Sequence, residues 1–336
     1  MTTNTNTTNR NASASLFGWD FQTNAAILLM LQNIQKADSV KVESSTEDIE
    51  IKLCNGNIIY SQAKSIINAD DTANLSKKLK DAIKTLNDAN SNDNVEKLIY
   101  ITNHSNPLSD RTTIGYFSST SELSYNELPE KCRKKITKII SDNHYAVDLD
   151  KLYIAVLPFM GNDENNRYKE IKRALYEFIS QLNLATNINS QKILDIWQKE
   201  YFFNGTIPDD TIRITKKKMI WALIVQICEM DMADEILDDC DNAEIQEIKS
   251  TYGNIINIRS EDFELVSKVI GLFTRYKEET GKSSKDFIKE KYSSIEEEFS
   301  NTNLPEEDKK CLVQLIIKKI LSNRYNIDKI KGIANL

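Results

Sequence analysis

Apolar side chains change their spacing several times along the chain, and each change predicts an element. Residues 16–35 (LFGWDFQTNAAILLMLQNIQ) carry Ala25, Ile27, Leu28, Leu29, Leu31 and Ile34 on a broad helical face suited to covering a sheet. Alternation follows, with Val40 and Val42 inside residues 39–43, then runs at 48–54 and 58–65 that meet at an Asn-Gly turn. Residues 74–89 return to helical period, with Leu75, Leu79, Ala82, Ile83 and Leu86 on one side. Short apolar runs at 97–102 and 151–158 read as buried strands. Helix, three strands, helix, strand is the order of an α/β fold with helices flanking a mixed sheet.

Residues 103–150 hold a polar loop and one helix near 130–141. From about residue 165 the period stays helical, over 168–182, 190–202, 216–237, 261–279, 286–299 and 306–322. Pro208 and Pro305 mark breaks, and Gly253 and Gly281 mark helix ends. The pattern predicts a disordered polar tail over 1–15, an α/β domain over 16–162 and an all-helical domain over 163–336. The helical part is expected to bind partners or drive oligomerisation. Trp19, Trp197, Trp221, Tyr201, Phe202 and Phe203 fall on helix-period apolar faces and are expected in cores.

The two runs around the Asn-Gly turn carry the chemistry. A three-residue turn, Asn55-Gly56-Asn57, places Glu50 opposite Gln62 and Asp48 opposite Lys64. Ile49, Ile51, Leu53, Ile59 and Ala63 then share the other face, which a two-residue turn would scramble. Four residues join Glu43 to Asp48, so Glu43 can reach the same polar face. Glu43, Asp48, Glu50, Gln62 and Lys64 are thus expected on one patch. Clustered carboxylates need a cation or a lysine between them, and hard oxygen ligands of this kind suit Mg²⁺ beside a substrate phosphate. Lys64 would orient the attacking water and offset charge on the phosphoryl oxygens. Solvent-facing charges on an exposed hairpin, with Glu50 paired to Lys41, account for the same spacing.

Composition narrows the classes. At 336 residues, 40% hydrophobic and 28% charged, the chain is an ordinary globular one. No apolar run is long enough to span a bilayer and no signal-peptide pattern opens the sequence, so a cytoplasmic protein with no membrane partner is expected. Five cysteines without paired spacing argue for reduced thiols rather than a disulfide frame or a thiolate zinc site. Only His104 and His144 are present, which argues against histidine-based metal chemistry. No glycine-rich phosphate loop occurs, so any ATPase must be a partner. A net charge of −7 sits awkwardly with tight DNA binding and implies help from a partner or from oligomerisation. The basic clusters at 131–135, 216–218 and 318–319 read as solvated helix faces, and the acidic run 231–241 as a solvated helix end.

An acid, a turn, Asp-Ile, a glycine turn and Gln-x-Lys closing a strand together resemble the PD-(D/E)XK nuclease superfamily. The sequence looks closest to the Mrr-type branch, where Gln replaces the usual Glu. Gly18-Trp19-Asp20-Phe21-Gln22 heading an Ala/Leu-rich helix also resembles the nuclease domain of double-stranded DNA endonuclease effectors in bacterial anti-phage systems. That domain occurs in CBASS effectors and in the nuclease subunit of Lamassu, a three-component SMC-like system. The resemblance covers roughly residues 16–102, with the strand at 151–158 within the domain.

It implies a restriction-endonuclease-like mixed sheet, Asp48 and Gln62 as ligands for Mg²⁺ or Mn²⁺, Lys64 as the catalytic lysine and Glu43 as a further acid. Helix one lacks the glutamate that some members carry there. The helical half shows none of the Rossmann-like strands of the nucleotide-sensing domain of CBASS effectors, which favours control by protein partners. Double-stranded DNA, an SMC-like ATPase and an accessory subunit are the expected partners, with homo-oligomerisation on activation. The alternative is a catalytically degenerate nuclease-fold adaptor that assembles a defence or DNA-repair complex.

Overall fold

The computed structural model describes residues 12–68, 72, 74–184, 188–229, 237, 240, 242–260, 262–299 and 305–336. The chain divides into two compact units, residues 1–181 with 190–216, and residues 182–189 with 217–336. Most of the polar tail and of the acidic run 231–241 lies outside the described residues. Helix α1 (Ser13–Gln32) starts inside the segment read as tail.

The first unit is a mixed α/β body. After α1 come β1 (Ala37–Val42), β2 (Ile49–Leu53), β3 (Ile58–Lys64), α2 (Leu75–Ala89) and β4 (Val95–Thr102). Next are β5 (Ser121–Ser124), α3 (Glu130–Asp142), β6 (Leu152–Val156), α4 (Glu164–Arg167), α5 (Lys169–Gln181), α6 (Ser190–Gly205) and β7 (Ile214–Thr215). The strands form one open sheet in the order β5-β6-β4-β3-β2-β1-β7. β3–β4 and β4–β6 are parallel and the remaining pairs antiparallel.

The alternation read in the sequence sorts the two faces. Val40, Val42, Ile49, Ile51 and Ile59 are buried on the face covered by α1. Tyr60, Leu98, Tyr100, Ile154 and Val156 pack on the other with Leu79, Ile83 and Leu86 of α2 and Ile136 of α3. α1 also packs against α5 and α6. Both sides of α1 are therefore covered, and residues 21–31 are buried all round rather than on one stripe.

β5 and β7 are strands that the sequence pattern does not predict. β7 is only two residues long, too short for a period to show, and it pairs with β1 at the sheet edge. Trp197 and Tyr201 are core residues as expected, but Phe202 and Phe203 are 48% and 63% exposed. Phe202 instead lies at the surface against α1, its ring centroid 5.8 Å from that of Trp19.

Among its described residues the second unit is helical. It contains α7 (Lys216–Glu229, beginning at the unit boundary), α8 (Asn242–Ser260), α9 (Phe263–Thr280), α10 (Ser284–Lys291), α11 (Ser293–Glu296), α12 (Glu306–Ser322) and α13 (Arg324–Ala334). Gly281 ends α9 at φ 69, where a left-handed residue is needed. At the other expected break, beside Gly253, α8 is two helices joined at a kink where Tyr252 leaves the helical region (φ −116, ψ 16). α8 and α13 were not legible as periods. Among the described residues no helix is long and apolar enough to cross a membrane.

Candidate active site on the β2–β3 strand pair

The turn between β2 and β3 fixes the register of the site. Ile49, Glu50, Ile51 and Lys52 pair with Ser61, Tyr60, Ile59 and Ile58, and Leu53 N donates to Asn57 O. The loop is therefore Cys54-Asn55-Gly56, with Gly56 at φ 88 as its last residue. A three-residue hairpin places its left-handed residue third, not second. That moves the pairing two positions from the predicted one and keeps each side chain on its predicted face. Asp48 accordingly meets Gln62 rather than Lys64, and Glu50 meets Tyr60 rather than Gln62.

Asp48 is the hub. Its Oδ2 accepts a hydrogen bond from Gln62 Nε2 and another, of 2.9 Å, from the Ala63 N–H. Lys64 Nζ stands 3.8 Å from the same oxygen. Glu43 lies across from Asp48 as the four-residue connection predicts, its N–H donating to Asp48 O at 2.8 Å. Glu43 adopts φ 52, and its carboxylate accepts from Gln22 Nε2 of α1 at 2.7 Å. The same amide nitrogen reaches Asp48 O at 3.0 Å. The structure thus brings Asp48, Gln62, Lys64 and Glu43 together and adds Gln22.

Glu50 does not join them. Arg213, just before β7, holds its Oε1 at 2.7 Å and its carbonyl at 2.8 Å. Lys41 is the register partner of Glu50, yet its Nζ goes to the carbonyls of Asn204 and Ile207 at 3.0 and 2.6 Å. Lys41 is fully buried, so its charge is taken up by backbone oxygens and not by the acid opposite.

Electrostatics mark a second residue that the sequence did not single out. Glu47 is 3% exposed, and neither of its carboxylate oxygens has a hydrogen-bond partner. Burial and then the neighbouring Asp48 push its pKa up to about 8, so it carries a proton at neutral pH. Burial also raises Asp48, to about 6, against the pull of Lys64, the Ala63 N–H and Gln62. The signal available for Glu47 was its adjacency to Asp48 at the entry to an apolar strand. Gln22 gave no signal beyond its place in helix one.

The donor set suits a hard divalent cation. The buried Glu47 and the half-buried Asp48 share their surroundings with one lysine, and an orphaned buried carboxylate is the kind of group that a bound cation satisfies. Asp48, Glu47 and the Gln62 amide oxygen are the residues that could hold Mg²⁺ or Mn²⁺.

No family model matches the chain, and no curated protein matches it. Among solved structures, it is similar to the Moraxella osloensis Cap4 SAVED/CARF-domain containing receptor, at 16% identity and a TM-score of 0.37. That match covers 64% of this chain and 48% of the receptor, so the chain spans about half the length of that protein.

Proposed function

We propose that this chain is a metal-dependent DNA endonuclease, the effector subunit of a bacterial anti-phage complex. The observation that carries the reading is the meeting of Asp48, just before β2, with Gln62 and Lys64 of β3, Lys64 Nζ lying 3.8 Å from Asp48 Oδ2. The order helix, three strands, helix, strand, with the acid leading into the second strand and Gln-x-Lys on the third, supports a restriction-endonuclease-like fold. The sequence resemblance to PD-(D/E)XK nucleases rests on the same residues.

In this reading Asp48, Glu47 and Gln62 hold Mg²⁺ or Mn²⁺. When bound, the ion supplies Lewis-acid polarisation of a phosphoryl oxygen and an acidified water. Lys64 orients the attacking water and offsets negative charge on the scissile phosphate. Gln22 holds Glu43 against the β1–β2 turn, so the acid there is fixed before substrate arrives. Outside the site, Lys131, Lys134 and Lys138 lie on α3, and Lys131 and Lys134 are ion-paired to Asp110 and Glu130. The chain's own grip on DNA is therefore weak. An SMC-like ATPase and an accessory subunit supply the rest, and homo-oligomerisation on activation brings two sites to the two strands of the duplex.

The test is cleavage of plasmid DNA in Mg²⁺ or Mn²⁺ by the native chain beside Lys64→Ala, each with and without the expected partner subunits. Cleavage that falls by roughly 100-fold or more in the variant is expected. Cleavage undiminished by the substitution overturns the assignment.

A further inference from the structure

The second unit contains a convergence of soft and hard ligands that the nuclease reading does not use. Cys240 lies two residues before the start of α8, Glu244 is in the first turn of that helix, and Cys311 belongs to α12. The two sulfurs and a Glu244 carboxylate oxygen all lie within 4.8 Å of one another. Both cysteines are buried, at 9% and 1% exposure, and Glu244 is half-buried. Gln314 Oε1 lies 3.8 Å from Cys240 Sγ. Spacing explains the focus: Cys240 and Glu244 are four residues apart, and Cys311 and Gln314 three apart on one helix. Cys311 and Gln314 therefore project from one side of α12, and the packing of α8 against α12 brings Cys240 and Glu244 to them.

Two chemistries could use paired sulfurs, and charge chooses between them. A reactive or disulfide-forming cysteine is usually made so by nearby cations that favour its thiolate. Here the group that converges with the two sulfurs is an acid, the Glu244 carboxylate, and not a cation. Such a cluster is unfavourable for free thiolates and favourable for a divalent cation. Tetrahedral zinc with sulfur ligands at about 2.3 Å sets them roughly 3.8 Å apart, so the groups need draw in by only about 1 Å.

We propose that Cys240, Glu244 and Cys311 bind one Zn²⁺ in the second unit, with Gln314 flanking the fourth position. The ion would tie the start of α8 to α12 across the helices between them, a structural role independent of the nuclease reading. The sequence argued against a thiolate zinc site because no two cysteines are closely spaced. The fold supplies what spacing lacks, one cysteine from each of two packed elements.

The full-length chain, purified under reducing conditions and stripped with a chelator, is titrated with Zn²⁺ and separately with Co²⁺. One equivalent of tightly held Zn²⁺ is expected, with a thiolate-to-cobalt charge-transfer band that no carboxylate site can produce. Cys311→Ser should remove the band and weaken Zn²⁺ binding by at least about 100-fold, and Gln314→Ala by roughly 10-fold. Glu244→Gln preserves the side chain's shape, so it tests the ligand even if Cys311→Ser unfolds. It should shift the cobalt spectrum while circular dichroism of the helices stays unchanged. A native chain without the charge-transfer band, or a band unaltered by Glu244→Gln and Cys311→Ser, overturns the proposal. So does a Cys240–Cys311 disulfide, found by mass spectrometry, in place of bound metal.

Discussion

Lys64 Nζ, at the end of β3, and Asp48 Oδ2, just before β2, stand 3.8 Å apart, and the lysine is the largest influence holding the Asp48 pKa down against its burial. Removing the ammonium by Lys64→Met should therefore move the Asp48 midpoint upward from about 6. Carboxyl-carbon NMR titration of labelled protein reads this directly. An unmoved midpoint would mean that the pair does not interact in solution.

Glu47 gives stability a pH dependence with a definite sign. Its folded pKa is raised to about 8 from 4.5. The stability it contributes is full below about pH 4.5 and is lost as pH rises through about 8, because the folded state retains a proton that the unfolded state releases. Glu47→Gln should cancel that loss and raise stability at pH 8.5 by on the order of a few kcal/mol. Urea unfolding at pH 5 and pH 8.5 measures it. Mg²⁺ should stabilise the native chain more at the higher pH, where it no longer competes with that proton.

Arg213 pins Glu50 through both its carboxylate and its carbonyl, and its Nε donates to Ser39 Oγ at 3.1 Å. Arg213→Ala strands a largely buried acid and should destabilise the first unit by about 2–3 kcal/mol. Pairing it with Glu50→Gln should recover part of that loss in a double-mutant cycle followed by thermal unfolding.

A methyl group at Gly205 would lie 2.6 Å from the Trp19 ring and 3.3 Å from Val42. Gly205→Ala should cost about 1–3 kcal/mol through overpacking. Trp19 fluorescence during unfolding reports whether the ring has been displaced.

How much of this was legible turns on period. Alternation over residues 48–64 assigned every side chain of the hairpin to its correct face, because that needs only the parity of the strand. The pairing slipped by two because it depends on which loop position Gly56 takes, a matter of backbone handedness that apolar pattern does not encode. Glu50 was misplaced for a different reason. Its partner, Arg213, lies more than 160 residues away, and no local pattern links the two. Glu47 escaped notice because its importance comes from burial, a property of what surrounds it. Long amphipathic helices such as α2 and α12 were plain, whereas the two-residue β7 carries too few positions to repeat.

That short strand limits how this chain can be cut or recombined. A piece ending at residue 162 would keep Asp48, Gln62 and Lys64. It would leave the outer edge of β1 bare, the Lys41 ammonium without its two carbonyls and Glu50 without its guanidinium. An uncovered edge of that kind invites pairing with another molecule. Exchange of the first unit between proteins by a single crossover would therefore succeed only beyond residue 216, carrying the stretch at 182–189 along with it.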